Sequence, residues 1–153
     1  MEALDPQEDE LAVDLYCGAA AYLSPAAPPA AVDFVAAVEA YGPAVRDLRR
    51  NLEINKLDNV DVIGGDAVRE FPDQDADVLV VDPPRAGLAP EAIDLIASTS
   101  ARDVAYVSCD PATLARDLKR FVEEGTFSPV KITPVDLFPQ TFHCETVVHL
   151  KRN

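Results

Sequence analysis

Positive charge is what this sequence has least of. Thirteen Lys and Arg stand against 27 Asp and Glu in 153 residues, a formal charge of −14 with a pI near 4.3. A protein that grips nucleic acid unaided presents a basic face to the phosphates. For this chain that is excluded, so any RNA contact is local, comes from a further basic domain, or is made where salt screens the charge. Aspartate outnumbers glutamate and lysine is scarce, a balance compatible with a salt-loving host. Cysteine is rare as well: three residues, at 17, 109 and 144, without framework spacing. That speaks against a disulfide scaffold and for a reducing, cytoplasmic setting. No apolar run is long enough to span a bilayer. The first ten residues are acidic, unlike a basic and apolar secretory signal. The length suits one domain, residues 11–153, behind an acidic segment at 1–10.

Glycine is missing where a dinucleotide fingerprint needs it. Leu11-Ala-Val-Asp-Leu-Tyr-Cys-Gly18 is an apolar strand pattern that stops at a glycine, the opening of a nucleotide-binding strand-loop-helix unit. Ala19, Ala20 and Ala21 follow, so the second and third glycines of G-x-G-x-x-G are absent. Pro25, Pro28 and Pro29 predict a short or broken helix after it, since each interior proline costs a helix about 3 kcal/mol.

What is present is an alternation of strands and helices. Residues 32–38 predict a second buried strand with Glu39 at its tip, about twenty residues beyond Gly18, where such folds place an acid against ribose hydroxyls. A lone acid at a strand end is otherwise simply solvated. A helix is expected over 42–55, with Val45, Leu48, Leu52 and Ile54 inward and Arg46, Arg49 and Arg50 on a solvated face. Residues 59–66 read as a third strand whose closing Gly-Gly-Asp66 meets an adenine edge or simply turns. Residues 77–81 form a fourth, buried on both faces, which Pro83 and Pro84 must end just after Asp82. Asp82 thus stands at the sheet edge where open α/β folds bind ligands, or alternatively only forms the turn.

Helices are expected over 90–100 and 112–124, with a strand at 104–107 between them. That strand runs into Ser108 and Cys109, and Asp110 and Pro111 suit the N-cap and first turn of the helix behind it. The thiolate is the nucleophilic form of cysteine, and the partial positive charge of a helix N-terminus favours an anion there, while Asp110 opposes it. The bland alternative is a small buried residue at a strand end. Two alternating runs, 129–138 and 145–151, suit paired closing strands.

Six segments together carry a resemblance: Asp14-Leu-Tyr-Cys-Gly18, Val38-Glu39, Asn59-Val60, Asp82-Pro-Pro-Arg-Ala-Gly87, the stretch from Tyr106 to Asp117, and Asp136-Leu-Phe-Pro-Gln-Thr-Phe-His-Cys-Glu145. In order and spacing they resemble the catalytic domain of the RNA uracil-C5 methyltransferases, enzymes dependent on S-adenosylmethionine. The resemblance implies an α/β Rossmann-like class I methyltransferase fold, a mostly parallel seven-stranded sheet with a C-terminal antiparallel hairpin. It implies that Cys109 is the nucleophile and Glu145 the general base, and that Tyr16, Gly18, Glu39, Asp66 and Asp82 contact the cofactor. His143 belongs to the same signature. The substrate implied is a uridine in RNA, ribosomal RNA ahead of tRNA, with no metal involved and no iron-sulfur cysteine cluster in the chain.

The chemistry explains why these residue types are needed. Uracil C5 is too weak a nucleophile to take a methyl group until a thiolate adds at C6, and a carboxylate must then remove the C5 proton. In a helix the target base would have to leave its stack. The sequence departs from the family pattern at Ala20, where a glycine is usual, and at Asp110, where asparagine is usual. The family's N-terminal RNA-binding domains are also missing. A scaffold that binds cofactor or a partner without turnover is the alternative.

Overall fold

Seven strands form one sheet in the order β3-β2-β1-β4-β5-β7-β6. The structure is a computed structural model that describes residues 4, 7, 9–20, 32–72, 75–136 and 144–153. Its elements are β1 (Leu11–Leu15), β2 (Phe34–Glu39), α1 (Gly42–Asn55), β3 (Val60–Gly64), β4 (Val78–Val81), α2 (Pro90–Ser98), β5 (Asp103–Ser108), α3 (Pro111–Glu123), β6 (Phe127–Val135) and β7 (Glu145–Arg152). Strands β1 to β5 pair in parallel. Strand β7 enters antiparallel between β5 and β6. The expected fold class is therefore the observed one. The Pro25 to Pro29 stretch and His143 lie outside the described residues.

The central strands are buried on both faces, which accounts for their unbroken apolar runs. On one face Leu79, Val81, Val104 and Tyr106 pack with Ile93 and Ile96 of α2 and with Leu114 and Phe121 of α3. On the other, α1 lays Leu48 and Leu52 against Ala37 and Cys17. Leu4 is only 1% exposed and packs with Ala12, Val35 and Val80, so part of the acidic leading segment belongs to the core.

Helix α1 has the bounds its periodicity predicts, with one correction. Ile54 is 65% exposed. Two positions beyond Leu52 is about 200° around the helix axis, facing water. The chain instead leaves through a left-handed Lys56, and Leu57 folds back with its N–H on the Leu52 carbonyl at 3.0 Å. The arginines of α1 are exposed as expected. Helix α3 opens as predicted: the Asp110 carboxylate accepts from the N–H groups of Ala112 (3.0 Å) and Thr113 (3.1 Å).

Candidate active site

Parallel strands all point the same way, so the loops that follow β1 to β5 gather at one edge of the sheet. Antiparallel β7 begins at that same edge. Laid out in strand order, the residues singled out from sequence run Asp66 after β3, Glu39 at the tip of β2, Tyr16 and Gly18 after β1, Asp82 after β4, Cys109 after β5 and Glu145 at the start of β7. Segments 90 residues and more apart in the chain thus share one border.

The register brings the end of β5 beside the start of β7. Ser108 pairs with Thr146 as the last pair of the β5–β7 ladder; Cys109 follows Ser108, and Glu145 precedes Thr146. Cys109 is partly exposed, neither sealed in the core nor fully solvated. Asp82 ends the adjacent strand, and its N–H reaches the Leu15 carbonyl at 3.2 Å, tying the ends of β4 and β1 together.

On the other half of the edge the chain is shaped by backbone contacts. Tyr16 and Gly18 both have positive φ, 63° and 61°, and the N–H groups of Tyr16 and Cys17 turn to the Val38 carbonyl at 2.9 and 3.2 Å. Glu39 holds that turn with two charge-assisted bonds: one carboxylate oxygen accepts from Gly18 N–H at 2.9 Å and the other from Tyr41 N–H at 2.6 Å. Each oxygen keeps a further lone pair. Asp66 turns the chain after β3, accepting from Val68 and Arg69 N–H with one oxygen, which settles the turn meaning of Gly-Gly-Asp for that atom. Burial pushes the Tyr16 hydroxyl pKa up, with the charges of Asp66 and Asp117 adding to it. Cys17, beside it, is buried, and its thiol is pushed up to about 12, first by burial and then by Asp14 and Glu39.

One group of site residues had a role that sequence reasoning did not assign. The Asp82 loop is bound along its length to α3. Thr113 Oγ donates to the Arg85 carbonyl (3.0 Å), the Arg116 guanidinium to those of Ala86 (2.9 Å) and Leu88 (3.3 Å), and the Leu88 N–H donates to Asp117 (2.8 Å). Arg85 returns a bond of 3.3 Å to Asp110. Those N–H bonds, Thr113 first, together with Arg85 hold the Asp110 carboxyl below its usual range. The signal was available: Leu114, Asp117 and Phe121 fall on the buried stripe of α3, and a carboxylate on such a stripe needs a partner.

Strand order, the closing antiparallel hairpin and loops gathered at one edge define the Rossmann-like methyltransferase fold. Consistent with this, the TYW2 structure from M. jannaschii in complex with AdoMet superposes with a TM-score of 0.64 over 99% of this chain and 73% of its own, at 19% identity. The chain belongs to the tRNA (uracil-5-)-methyltransferase family, whose model matches residues 1–153. An uncharacterized RNA methyltransferase of Gloeobacter violaceus is 42% identical over 97% of this chain and 32% of its own length. One of Thermotoga maritima is 40% identical over 94% and 33%. The tRNA (uracil-54, C5)-methyltransferase of Pyrococcus abyssi, crystallised with S-adenosyl-L-homocysteine, superposes with a TM-score of 0.78 at 30% identity, covering 97% of this chain and 36% of that one. The chain spans about a third of the length of the curated relatives it matches. Among the described residues no helix is long and apolar enough to cross a membrane.

Proposed function

We propose that this chain is the catalytic domain of a cytoplasmic RNA uracil-C5 methyltransferase dependent on S-adenosylmethionine. The single observation that supports this reading is the β5–β7 register, which ends at the Ser108–Thr146 pair, with Cys109 and Glu145 the next residues outward along the chain and β4, before Asp82, the neighbouring strand.

The donor set at the edge suits the cofactor. Glu39 retains lone pairs for ribose hydroxyl donors at the tip of β2. The positive-φ turn at Tyr16 and Gly18 brings backbone close to whatever lies there, and Asp66 and Asp82 flank that turn. The bound cofactor would supply an electrophilic methyl group. The chain's own residues do the rest. Cys109 Sγ forms a bond to uracil C6, and the C5–C6 π pair moves onto C5 and the O4 carbonyl, making C5 nucleophilic. Once C5 is methylated, the Glu145 carboxylate takes the C5 proton. The pair left behind restores the C5–C6 double bond and expels the sulfur as thiolate.

Ribosomal RNA is the substrate we favour over tRNA, on the wording of residues 111–117. The charge of −14 is poorly suited to holding either RNA, so the grip would come from a basic domain of the kind that threefold longer relatives have room for. The test is covalent trapping. With a full-length version of the protein, cofactor and 5-fluorouridine transcripts, the C5 substituent cannot leave as a proton, so a denaturant-resistant adduct should accumulate. Cys109→Ala should abolish it, and survival of the adduct in that variant would refute the nucleophile assignment. Running ribosomal and tRNA transcripts in parallel decides the substrate. Absence of any adduct, together with measurable S-adenosylhomocysteine binding by calorimetry, would leave a cofactor-binding scaffold.

A further inference from the structure

Asp117 has no place in the chemistry above, yet it is an acid buried beside the candidate site, 1% exposed. A carboxylate taken out of water at this depth persists only when its oxygens are fully engaged. One oxygen accepts from the Leu88 N–H at 2.8 Å and the Tyr106 hydroxyl at 2.7 Å, and the other from Arg116 at 2.8 Å. These three donors come from three different places: the loop after β4, the middle of β5 and the helix itself. Gly87 closes the arrangement. Its φ is 78°, and a Cβ there would stand 2.5 Å from Asp117 Oδ2 and 2.6 Å from the Arg116 guanidinium. Loop and helix therefore touch with no room for a side chain between them.

We propose that Asp117 is a positioning residue that locks the Asp82 loop, through Leu88 and Gly87, to the helix that follows Cys109. The inference rests on the reading of Asp82 and Cys109 as site residues. Asp82 lies at one end of the clamped loop and Cys109 immediately before the N-cap of the clamping helix, so the clamp fixes the cofactor side of the site relative to the nucleophile. Effective molarity depends on such placement, and an error of 1 Å costs roughly 100-fold in rate.

Asp117→Asn is the direct test. An asparagine presents an NH₂ group either to Arg116 or to the Leu88 and Tyr106 donors, so one side must face donor against donor. Gly87→Ala is the second variant, displacing the loop while leaving Asp117 intact. Asp94→Asn, on an exposed ion pair with Arg120, is the control. With 5-fluorouridine ribosomal RNA transcripts and saturating cofactor, both clamp variants should lower the rate constant of adduct formation about 10- to 100-fold at undiminished final amplitude, and the control should match the unaltered chain. Loss of folded protein alone would lower the amplitude and leave the rate constant unchanged, and that outcome overturns the proposal. Amide hydrogen exchange is read in parallel, where Leu88 N–H should exchange about tenfold faster in Asp117→Asn. If the unaltered full-length protein forms no adduct, the uracil reading fails on its own. The positioning claim is then decided by exchange, and an unchanged Leu88 rate refutes it.

Discussion

Asp103 and Glu10 at one end of the sheet are held differently from Glu39 and Asp66 at the other. At the end where the parallel strands begin, Asp103 and Glu10 meet basic side chains. Asp103, 2% exposed, is held by His149 at 2.6 Å and by Arg102, and Arg102 in turn takes Glu10 through two nitrogens at 2.9 and 3.0 Å. Arg152 gives its guanidinium to the carbonyls of Ala97, Thr99 and Ala101 at the end of α2 while lying 4.4 Å from the Phe127 ring centroid. At the end where those strands finish, Glu39 and Asp66 are held by backbone N–H groups instead, Glu39 by Gly18 and Tyr41 and Asp66 by Val68 and Arg69, while Asp110 takes Arg85 as well as two N–H groups. An arginine neutralises a carboxylate and consumes its lone pairs in a fork, whereas one or two N–H groups orient it and leave negative charge and acceptor capacity. The first pattern suits a strut. The second suits a surface awaiting hydroxyl donors and a proton.

That contrast can be broken experimentally, and the strongest attack is on Glu145. Replacing it with Gln should lower turnover on unmodified RNA by about 10²–10⁴-fold, the usual range for a general base. The methylated adduct should then accumulate on gels, and unimpaired turnover would remove Glu145 from the mechanism. Glu39→Ala comes next. Loss of one ion-assisted contact to a ribose, worth about 1.5–3 kcal/mol, should weaken S-adenosylhomocysteine binding at least tenfold by calorimetry. Arg102→Ala attacks the other end and should do the reverse. It leaves buried Asp103 with His149 alone and should cost about 1–2 kcal/mol of stability, discounted for the partial exposure of Arg102. Its affinity for S-adenosylhomocysteine should match the unaltered chain.

The smallest effect is that of pH on the Glu10 contact. Arg102 holds the Glu10 carboxyl below its ordinary 4.5. The folded form therefore binds fewer protons than the unfolded one in this range, so the contribution is complete above pH 4.5 and is lost as pH falls through the lowered value. Thermal melts should show a shallower acid slope in Glu10→Gln than in the unaltered chain.

Much of the frame could be read directly because its causes are local. Pro83 and Pro84 cannot continue a ladder, and β4 stops at Val81. Asp110 before Pro111 announces a helix start, and it caps one. Spacing of three and four placed Val45, Leu48 and Leu52 on the buried side of α1. What could not be read depends on partners far away in sequence. Nothing near Leu4 says that it will fill a gap beside Val80, and nothing near Asp117 names Leu88 as its donor, 29 residues earlier. The arrival of the Cys109 and Glu145 segments at one sheet edge belongs to the same kind. Each motif is legible alone, but their adjacency is a property of the β5–β7 register, which no local pattern writes.

The absent side chain at Gly87 bears on how this region can be rebuilt. With Asp117 Oδ2 only 2.5 Å from where a methyl would stand, residues 82–88 and 106–117 form a matched lock and key within one polypeptide. A chimaera that imports either segment alone from a distant relative inherits a mismatch, whereas moving both together carries the fit along. Engineers altering substrate choice should therefore exchange the two as a cassette and leave the far struts untouched.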